Sequence, residues 1–233
     1  MSNPQERTDA LSRERTVAGR LALALLVTAS LVFMGVALHR YLSLDPARSL
    51  VPLPPGVHPV LVAHVVFGSV AMLAALHQFW PGVRDRSRSM HRRVGRVYVL
   101  AGVLPAGICA VVVACYSPFG PVARASNLVF ASVWLGATLA GYRAGRRGEF
   151  EIHRRWMIRS GVLTFSILTN RLWGPIAYLA LEGQRATTFH GDETFFAWTI
   201  AGLSTWLGWT LPLLAVEAFL EWESSTDRPG PAA

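Results

Sequence analysis

The sequence predicts an all-α fold, a polytopic membrane bundle of six transmembrane helices with both termini in the cytoplasm. Of its 233 residues, 52% are hydrophobic and only 15% are charged, which is too apolar for an ordinary soluble domain. The apolar residues gather in six runs. Each run is long enough to cross a hydrocarbon core of about 30 Å, which takes roughly 20 residues of helix. Backbone groups in lipid must pair within their own segment, and the runs lack the alternation of barrel strands, so helices are expected.

Short polar loops separate the predicted spans. The spans lie near residues 18–38, 59–80, 95–115, 121–142, 156–180 and 194–220. All but one contain a window of 18 or more residues without Asp, Glu or Arg, and the exception is interrupted by Arg171. The first run also has the arginines and apolar core of a signal peptide, but its core is longer than usual and predicts an uncleaved span. Residues 1–17 are then a cytoplasmic arm, 18–222 the membrane domain and 223–233 a short disordered tail.

The distribution of arginine predicts the orientation. All 22 basic residues are arginine; 17 fall on the side of the termini and of the loops 81–96 and 143–159, and 4 fall on the other side. Because short arginine-rich loops resist translocation, both termini are expected in the cytoplasm of a bacterial cell, with the protein in its cell membrane. Nucleic-acid binding is not expected despite the net charge of +8, since the arginines lie between apolar stretches rather than on a soluble basic face.

Several polar motifs recur at the ends of the predicted spans. In order they are His64, HQFWPGVRDRS at 77–87, HRRVGRVY at 91–98, HRRWMIRS at 153–160 and Arg171. In this combination they resemble the bacterial family of predicted membrane proteins catalogued as domain of unknown function 2306. The resemblance covers roughly residues 58–180. It implies a helical integral membrane protein and brings no activity or cofactor with it.

Arg171 is the first candidate functional residue, because an ionisable side chain in lipid is costly. At about 1.5 Å per residue from Trp156, it lies about 22 Å from the cytoplasmic boundary, in the outer third of the membrane. No Asp or Glu lies deep in any span to pair with it. By the same rise, His64 and Asn127 begin about 8 to 9 Å inside the outer boundary. The three residues are predicted to form a ligand-binding cluster, with snorkelling of Arg171 and separate packing contacts as the alternatives.

Helical spacing adds two packing predictions. One stripe of the fifth span is expected to face the bundle interior; it consists of Met157, Ser160, Thr164, Arg171 and Tyr178. On the third span, a seven-residue repeat of small residues is expected to let another helix approach closely; it consists of Gly95, Gly102 and Cys109.

A second candidate cluster lies at the predicted cytoplasmic ends of the second, third and fifth spans. It consists of His77, His91, Arg92, Arg93, His153, Arg154 and Arg155. Cytoplasmic arginines gain about 1 kcal/mol each from acidic headgroups, so anionic lipids are the expected partners. Histidine has no such topological role, which makes the cluster a candidate cofactor site. Its imidazoles suit the axial positions of a b-type haem and its arginines suit the propionates, while a metal site is also open.

Three classes of function fit these features. The first is a non-catalytic membrane protein that serves assembly or binds a lipid or other ligand. The second is a redox protein linked to b-type haem or quinone. The third is a transporter of small anionic solutes, in which Pro105, Pro175 and Pro212 break helices around a cavity and Arg171 attracts the anion. No catalytic residues are predicted, because the sequence has no HExxH motif, no GxSxG motif and no deep aspartate for a Ser-His-Asp set.

Overall fold

The structure, a computed structural model, describes residues 4–42, 44–49, 51–80 and 87–226, and all regular structure in these ranges is helical. The long helices are α1 (Pro4–Tyr41), α2 (His58–Phe79), α3 (Arg88–Cys115), α4 (Gly120–Arg147), α5 (Phe150–Leu181) and α6 (Glu193–Thr226). Short 3₁₀ turns at Pro46–Arg48 and Glu182–Gln184 lie in the connections after α1 and α5. The prediction of an all-α fold is confirmed for this part of the chain.

Within the described ranges, five helices are long and apolar enough to cross a membrane. They are Val17–Tyr41 of α1, together with α2, α3, α4 and α6. The remaining long helix, α5, corresponds to the predicted fifth span, and its apolar run is interrupted by serine, threonine, asparagine and arginine residues. Several of these polar residues are buried, since α5 packs extensively against both α4 and α6. A helix whose polar side chains face its neighbours is expected to have a lower mean hydropathy than a lipid-facing helix.

The helices extend beyond the predicted spans at both ends of the chain. Helix α1 begins at Pro4, inside the predicted arm 1–17, and α6 continues to Thr226. The first residues of the predicted tail 223–233 are therefore helical rather than disordered, and residues 227–233 lie outside the described ranges. Residues 81–86 of the motif HQFWPGVRDRS also lie outside them.

Helix α3 changes its hydrogen-bonding pattern in the middle. Residues Arg88–Arg96 are α-helical, Val97–Val103 form a π-helix, and Leu104–Cys115 are α-helical again. Pro105 follows the π-helix and has no N–H to give to the preceding turn, so the wider turn lies where the ladder is interrupted. The chain continues as a helix through this position, just as α5 continues through Pro175 and α6 through Pro212.

Glycines permit the closest approaches between helices. A Cβ atom on Gly102 would lie 2.8 Å from the Cα atom of Ala71, so α2 and α3 nearly touch there. A Cβ atom on Gly208 would lie 2.8 Å from the Cα atom of Asn170, which brings α6 equally close to α5. The prediction that Gly102 allows close helix packing is confirmed.

Helix α1 is the most peripheral helix of the bundle. Only 11% of its most apolar 18-residue window is buried, compared with 39% for α2 and for α3. The main buried core lies among α2 to α6, where Ala71, Tyr98, Trp134 and Leu163 pack together. Helix α1 therefore forms an outer wall against a bundle whose core is built by the other helices.

Two bidentate ion pairs join α5 to α6 near their predicted cytoplasmic ends. The Arg159 guanidinium donates from Nε to Glu217 Oε1 at 2.6 Å and from Nη2 to Oε2 at 2.7 Å. The Arg154 guanidinium makes the same kind of pair with Glu223, at 2.6 and 2.7 Å. Paired guanidinium and carboxylate groups fix the rotation and register of the two helices relative to each other.

Candidate functional site

A cavity of about 560 Å³ opens between all six long helices. Its size falls within the range of about 300 to 1,000 Å³ that is typical of ligand pockets. The walls are largely apolar and include the rings of Phe130, Trp134 and Trp209. Each helix contributes to the lining, with Phe33, Met72, Ala110, Asn127, Ser166 and Thr205 as examples from α1 to α6.

The three residues of the predicted outer cluster all line this cavity. His64 reaches it from α2, Asn127 from α4 and Arg171 from α5. At about 1.5 Å per residue, His64 lies about 9 Å from the first residue of α2, and Asn127 about 10 Å from the first residue of α4. Arg171 lies about 15 Å from the last residue of α5 by the same rise. An imidazole, an amide and a guanidinium group therefore share the walls of one space.

The His64 ring is held in one tautomer. Its Nδ1 atom lies 2.9 Å from the carbonyl oxygen of Ala106 on α3. Because a carbonyl oxygen only accepts, Nδ1 carries the proton, and Nε2 of the neutral ring is left as an acceptor. Among the described residues Nε2 has no hydrogen-bond partner, and it is not one of the buried unpaired atoms. The ring therefore presents an accessible lone pair beside the cavity that it lines.

Arg171 has no carboxylate partner among the described residues, where the ion pairs involve Arg154, Arg159 and Arg185 instead. Its guanidinium carbon lies 5.8 Å from the centre of the Phe33 ring on α1. Such a contact gains about 0.5 to 2 kcal/mol but supplies no negative charge. The Arg171 side chain is exposed, so its positive charge lies at the cavity wall without a counter-charge among the described residues.

The backbone beside Arg171 is fixed against α6. The Ser204 hydroxyl lies 2.9 Å from the carbonyl oxygen of Asn170 and 2.8 Å from its Oδ1. One residue earlier, the Thr169 hydroxyl donates to the carbonyl oxygen of Gly208. Asn170 also lines the cavity, and its amide nitrogen remains a donor because the oxygen is engaged by Ser204. This part of α5 thus offers two donor groups on a rigid segment.

A network of buried hydroxyl groups borders the cavity. The Tyr98 hydroxyl lies 2.6 Å from Ser160 Oγ and 2.8 Å from Thr164 Oγ1, and the Trp134 indole donates to Thr164 Oγ1 at 3.0 Å. Ser160 Oγ also lies 2.6 Å from Thr138 Oγ1. Thr164 and Trp134 line the cavity, so the network joins its wall to α3, α4 and α5.

The predicted stripe on α5 divides between the interior and the surface. Ser160 and Thr164 are buried, as predicted, and Met157 packs against the main core. Arg171 and Tyr178, which were expected to face the interior, are instead exposed. The Tyr178 ring lies 5.8 Å from that of Phe196. Tyr98 was missed by sequence reasoning, because a single tyrosine in an apolar run gives no sign that it bonds two side chains of α5.

The inner cluster begins where α2 ends and α3 starts. Gln78 Nε2 donates to the carbonyl oxygen of His91 at 2.8 Å, which ties the two helix ends together. The Nδ1 atom of His77 is buried without a partner among the described residues. Arg92 and Arg93 are exposed on the same helix end. The C-terminal end of α2 and the N-terminal end of α3 are therefore in contact.

The remaining inner residues on α5 turn to other neighbours. His153 Nδ1 lies 2.8 Å from the carbonyl oxygen of Gly141 on α4, and Arg154 pairs with Glu223 on α6. Arg155 is half-buried. In the part of the chain that the structure describes, no three His, Cys, Asp or Glu side chains come together as a group able to hold a metal ion.

A family model described as predicted membrane protein, DUF2306, matches residues 61–211. The match begins in α2 and ends in α6, so it includes His64, Asn127 and Arg171. Searches of curated proteins and of solved structures found no match.

Proposed function

We propose, from the premise that the chain belongs to the DUF2306 family of predicted membrane proteins, that it binds an anionic amphiphile in the cavity between its helices. The role is one of binding or assembly, without turnover. One observation carries the proposal: Arg171 lines a largely apolar cavity of about 560 Å³ and has no carboxylate partner among the described residues. A ligand that brings its own negative charge would offset the cost of that guanidinium.

The walls favour an amphiphile over a small inorganic anion. Phe130, Trp134 and Trp209 supply apolar surface, whereas the polar side chains include His64, Asn127 and Arg171. A ligand with an acidic head and a hydrocarbon tail satisfies both parts, since its head would accept from the guanidinium while its tail replaced lipid against the rings. A free phosphate would leave most of the wall without contact.

The weak packing of α1 supports access from the side. This helix is the least buried of the candidate spans, and its Phe33 ring is the contact that Arg171 makes with it. A tail entering between α1 and the rest of the bundle would need no water-filled channel. Lateral access is therefore consistent with a ligand that is already dissolved in the membrane.

The topology that belongs to this proposal has six spans, both termini in the cytoplasm, and the bacterial cell membrane as its location. Helix α5 is taken as a span because its polar residues, such as Ser160 and Thr164, are buried between helices. On this topology the arginines of the inner cluster, including Arg92 and Arg93, contact anionic headgroups at the cytoplasmic face. His77, His91, His153, Arg154 and Arg155 remain the second candidate ligand site.

The proposed function is tested by counting the lipids that the purified protein retains. The chain would be placed in nanodiscs of zwitterionic lipid with a small fraction of anionic lipid, and retained lipids counted by native mass spectrometry. The wild type is expected to retain one anionic lipid after annular lipids are stripped, and Arg171→Gln is expected to lose it. Arg124→Gln is the matched control, since Arg124 lies at the outer end of α4 and donates to the Ser117 carbonyl at 2.6 Å. Equal retention by both variants would contradict the proposal.

A b-type haem is the second candidate, and the His64 geometry is the observation in its favour. A hydrogen bond from Nδ1 to a carbonyl oxygen, as His64 makes with Ala106, is the arrangement that orients an imidazole for iron binding through Nε2. Arg171 would then suit a propionate. Absorbance of protein expressed with adequate haem decides between the candidates. A Soret band lost in His64→Ala supports haem in this cavity; one lost in His77→Ala, His91→Ala or His153→Ala supports the inner cluster.

A further inference from the structure

We infer that the cavity selects an anionic headgroup that also carries free hydroxyl groups, with Arg171 taking the charge and His64 accepting from a hydroxyl. The inference rests on the proposed function and narrows its ligand class to a phosphodiester lipid with a polyol head, such as a glycerol phosphate. It depends on the tautomer of His64, which the neighbouring helix sets before any ligand arrives.

The acceptor role of His64 follows from its neighbour. The Ala106 carbonyl oxygen, 2.9 Å from Nδ1, requires a proton on that nitrogen. The neutral ring then has a lone pair and no proton at Nε2, so it can bond only to a donor. A phosphodiester without hydroxyl groups offers oxygen atoms alone. Its oxygens would face the lone pair of Nε2 with no proton between them, which is repulsive in a site of low dielectric.

Three polar side chains of the wall complement the accepting His64 ring, and Arg40 of α1 is a further polar residue of the lining. Arg171 and the amide nitrogen of Asn170 are donors on α5, and Asn127 on α4 offers both a donor and an acceptor. The donors suit the phosphate oxygens, and the acceptors suit hydroxyl groups. A headgroup with phosphate at one end and hydroxyl groups at the other can satisfy both sides of the cavity at the same time.

The site lies deeper along the helices than the ends at which lipid headgroups ordinarily contact a membrane protein. His64 lies about 9 Å and Arg171 about 15 Å along their helices from the outer helix ends. A headgroup bound there sits below the level of the bulk headgroups. Sinking it is unfavourable unless its charge and its hydroxyl groups are all paired. A lipid that pairs only one of them is therefore expected to bind less well at this depth, although it contacts the same apolar walls.

Two lipids of equal charge test the inference. Phosphatidylglycerol has a phosphodiester and two free hydroxyl groups, whereas phosphatidylmethanol has the phosphodiester without any. Titration of each lipid into nanodiscs of phosphatidylcholine that hold the full chain, read by native mass spectrometry, gives the two affinities. Wild type is expected to bind phosphatidylglycerol about fivefold to tenfold more tightly, the effect of one net hydrogen bond.

Substitution of His64 tests whether this residue causes the preference for phosphatidylglycerol. His64→Phe removes both the acceptor and its repulsion of phosphate oxygens, so it is expected to bind the two lipids with equal affinity. His64→Gln retains an amide that can donate to Ala106 and an oxygen that can accept, so it should recover part of the preference. A preference that persists in His64→Phe overturns the role of His64. If His64→Phe does not fold, the wild-type comparison and His64→Gln still decide.

The outcomes distinguish the inference about headgroup hydroxyl groups from the proposed function. Equal wild-type affinity for both lipids, with both lost in Arg171→Gln, overturns this inference and leaves the proposed function in place. Binding of both lipids that does not depend on Arg171 overturns the proposed function, and the inference with it.

Discussion

The Tyr98 hydroxyl lies 2.6 Å from the Ser160 hydroxyl, and this contact joins the π-helix of α3 to α5 across 62 residues of sequence. Which of these hydroxyl groups donates can be worked out, because each has only one hydrogen. Thr164 has one hydroxyl hydrogen and directs it to the Ser160 carbonyl at 3.0 Å, so Tyr98 donates to Thr164 or to Ser160. Because Trp134 also donates to Thr164 and Thr138 contacts Ser160, every member of the network keeps a partner if Tyr98 loses its oxygen.

Tyr98→Phe is therefore expected to destabilise the bundle only moderately, by about 1 kcal/mol, in the range measured for hydrogen bonds between membrane helices. The free energy of unfolding in detergent, followed by circular dichroism, measures this loss. Tyr116→Phe is the matched control, since Tyr116 is 52% exposed. A double-mutant cycle with Ser160→Ala should show coupling of similar size. Additive effects of the two substitutions would show that the contact contributes nothing.

Gly102→Ala is expected to destabilise the protein by about 1 to 3 kcal/mol, the usual cost of forcing extra atoms into a packed core. Its Cβ atom would lie 2.8 Å from the backbone of Ala71. Gly136 on α4 is the matched control, because nothing lies within 4 Å of a Cβ atom there. Gly136→Ala is expected to be neutral or to stabilise its helix by about 0.5 to 1 kcal/mol. Equal melting temperatures for the two variants would contradict the close approach of α2 and α3.

Sequence reasoning predicted the outer cluster because the rise of a helix is fixed. Counting residues along each span was enough to give His64, Asn127 and Arg171 similar depths, and all three line one cavity. Depth carries no information on rotation, however. The ion pair between Arg159 and Glu217 was not predicted, because it depends on how α5 and α6 turn toward each other.

The role of Tyr98 was not predictable for a related reason. The π-helix Val97–Val103 departs from the 3.6-residue period on which face assignments rest, so the buried side of α3 cannot be read across it. The cavity itself was also beyond reach, since it is the space that packed side chains leave unfilled. The presence of a helix at each apolar run, by contrast, follows from composition alone. For this reason each predicted span coincides with an observed helix.

The two ion pairs between α5 and α6 should differ in strength with depth. Glu217 lies about 9 Å further from the C-terminal end of α6 than Glu223 does. Its partner Arg159 is 16% exposed, whereas Arg154, the partner of Glu223, is 34% exposed. Loss of a charged hydrogen bond away from water costs about 1.5 to 3 kcal/mol, whereas exposed pairs contribute about 0.2 to 1 kcal/mol. Glu217→Gln is therefore expected to lower the unfolding free energy more than Glu223→Gln, which serves as its control. Equal losses in detergent unfolding would contradict the difference in depth.

The proposed orientation predicts which loops react from outside the cell. In a chain whose native Cys109 and Cys115 are replaced by alanine, Thr187→Cys lies between α5 and α6 and Ser89→Cys lies at the start of α3; both positions are exposed. A membrane-impermeant maleimide applied to intact cells is expected to label Thr187→Cys and to leave Ser89→Cys unlabelled until the cells are lysed. Labelling of Ser89→Cys alone would reverse the topology, and labelling of both would mean that one of α3, α4 and α5 does not span the membrane.

Arg171→Leu is expected to make the protein more stable while removing its ligand. On the proposed topology the guanidinium costs about 2.5 to 3.5 kcal/mol in the membrane, and its contact with the Phe33 ring returns about 0.5 to 2 kcal/mol. Leucine at this position should therefore raise the free energy of unfolding in lipid-free detergent by about 0.5 to 3 kcal/mol. Such a gain is typical of residues that are kept for binding rather than for stability.

The control for this prediction is Arg124→Leu, which removes a guanidinium that donates to the Ser117 carbonyl at 2.6 Å. That variant should be neutral or slightly destabilised. Addition of anionic lipid should stabilise the wild type and Arg124→Leu but not Arg171→Leu, because only a bound ligand shifts the unfolding equilibrium. A loss of stability in Arg171→Leu without added lipid would mean that Arg171 has a structural partner, which would remove the charge imbalance from which the cavity's anionic ligand is inferred.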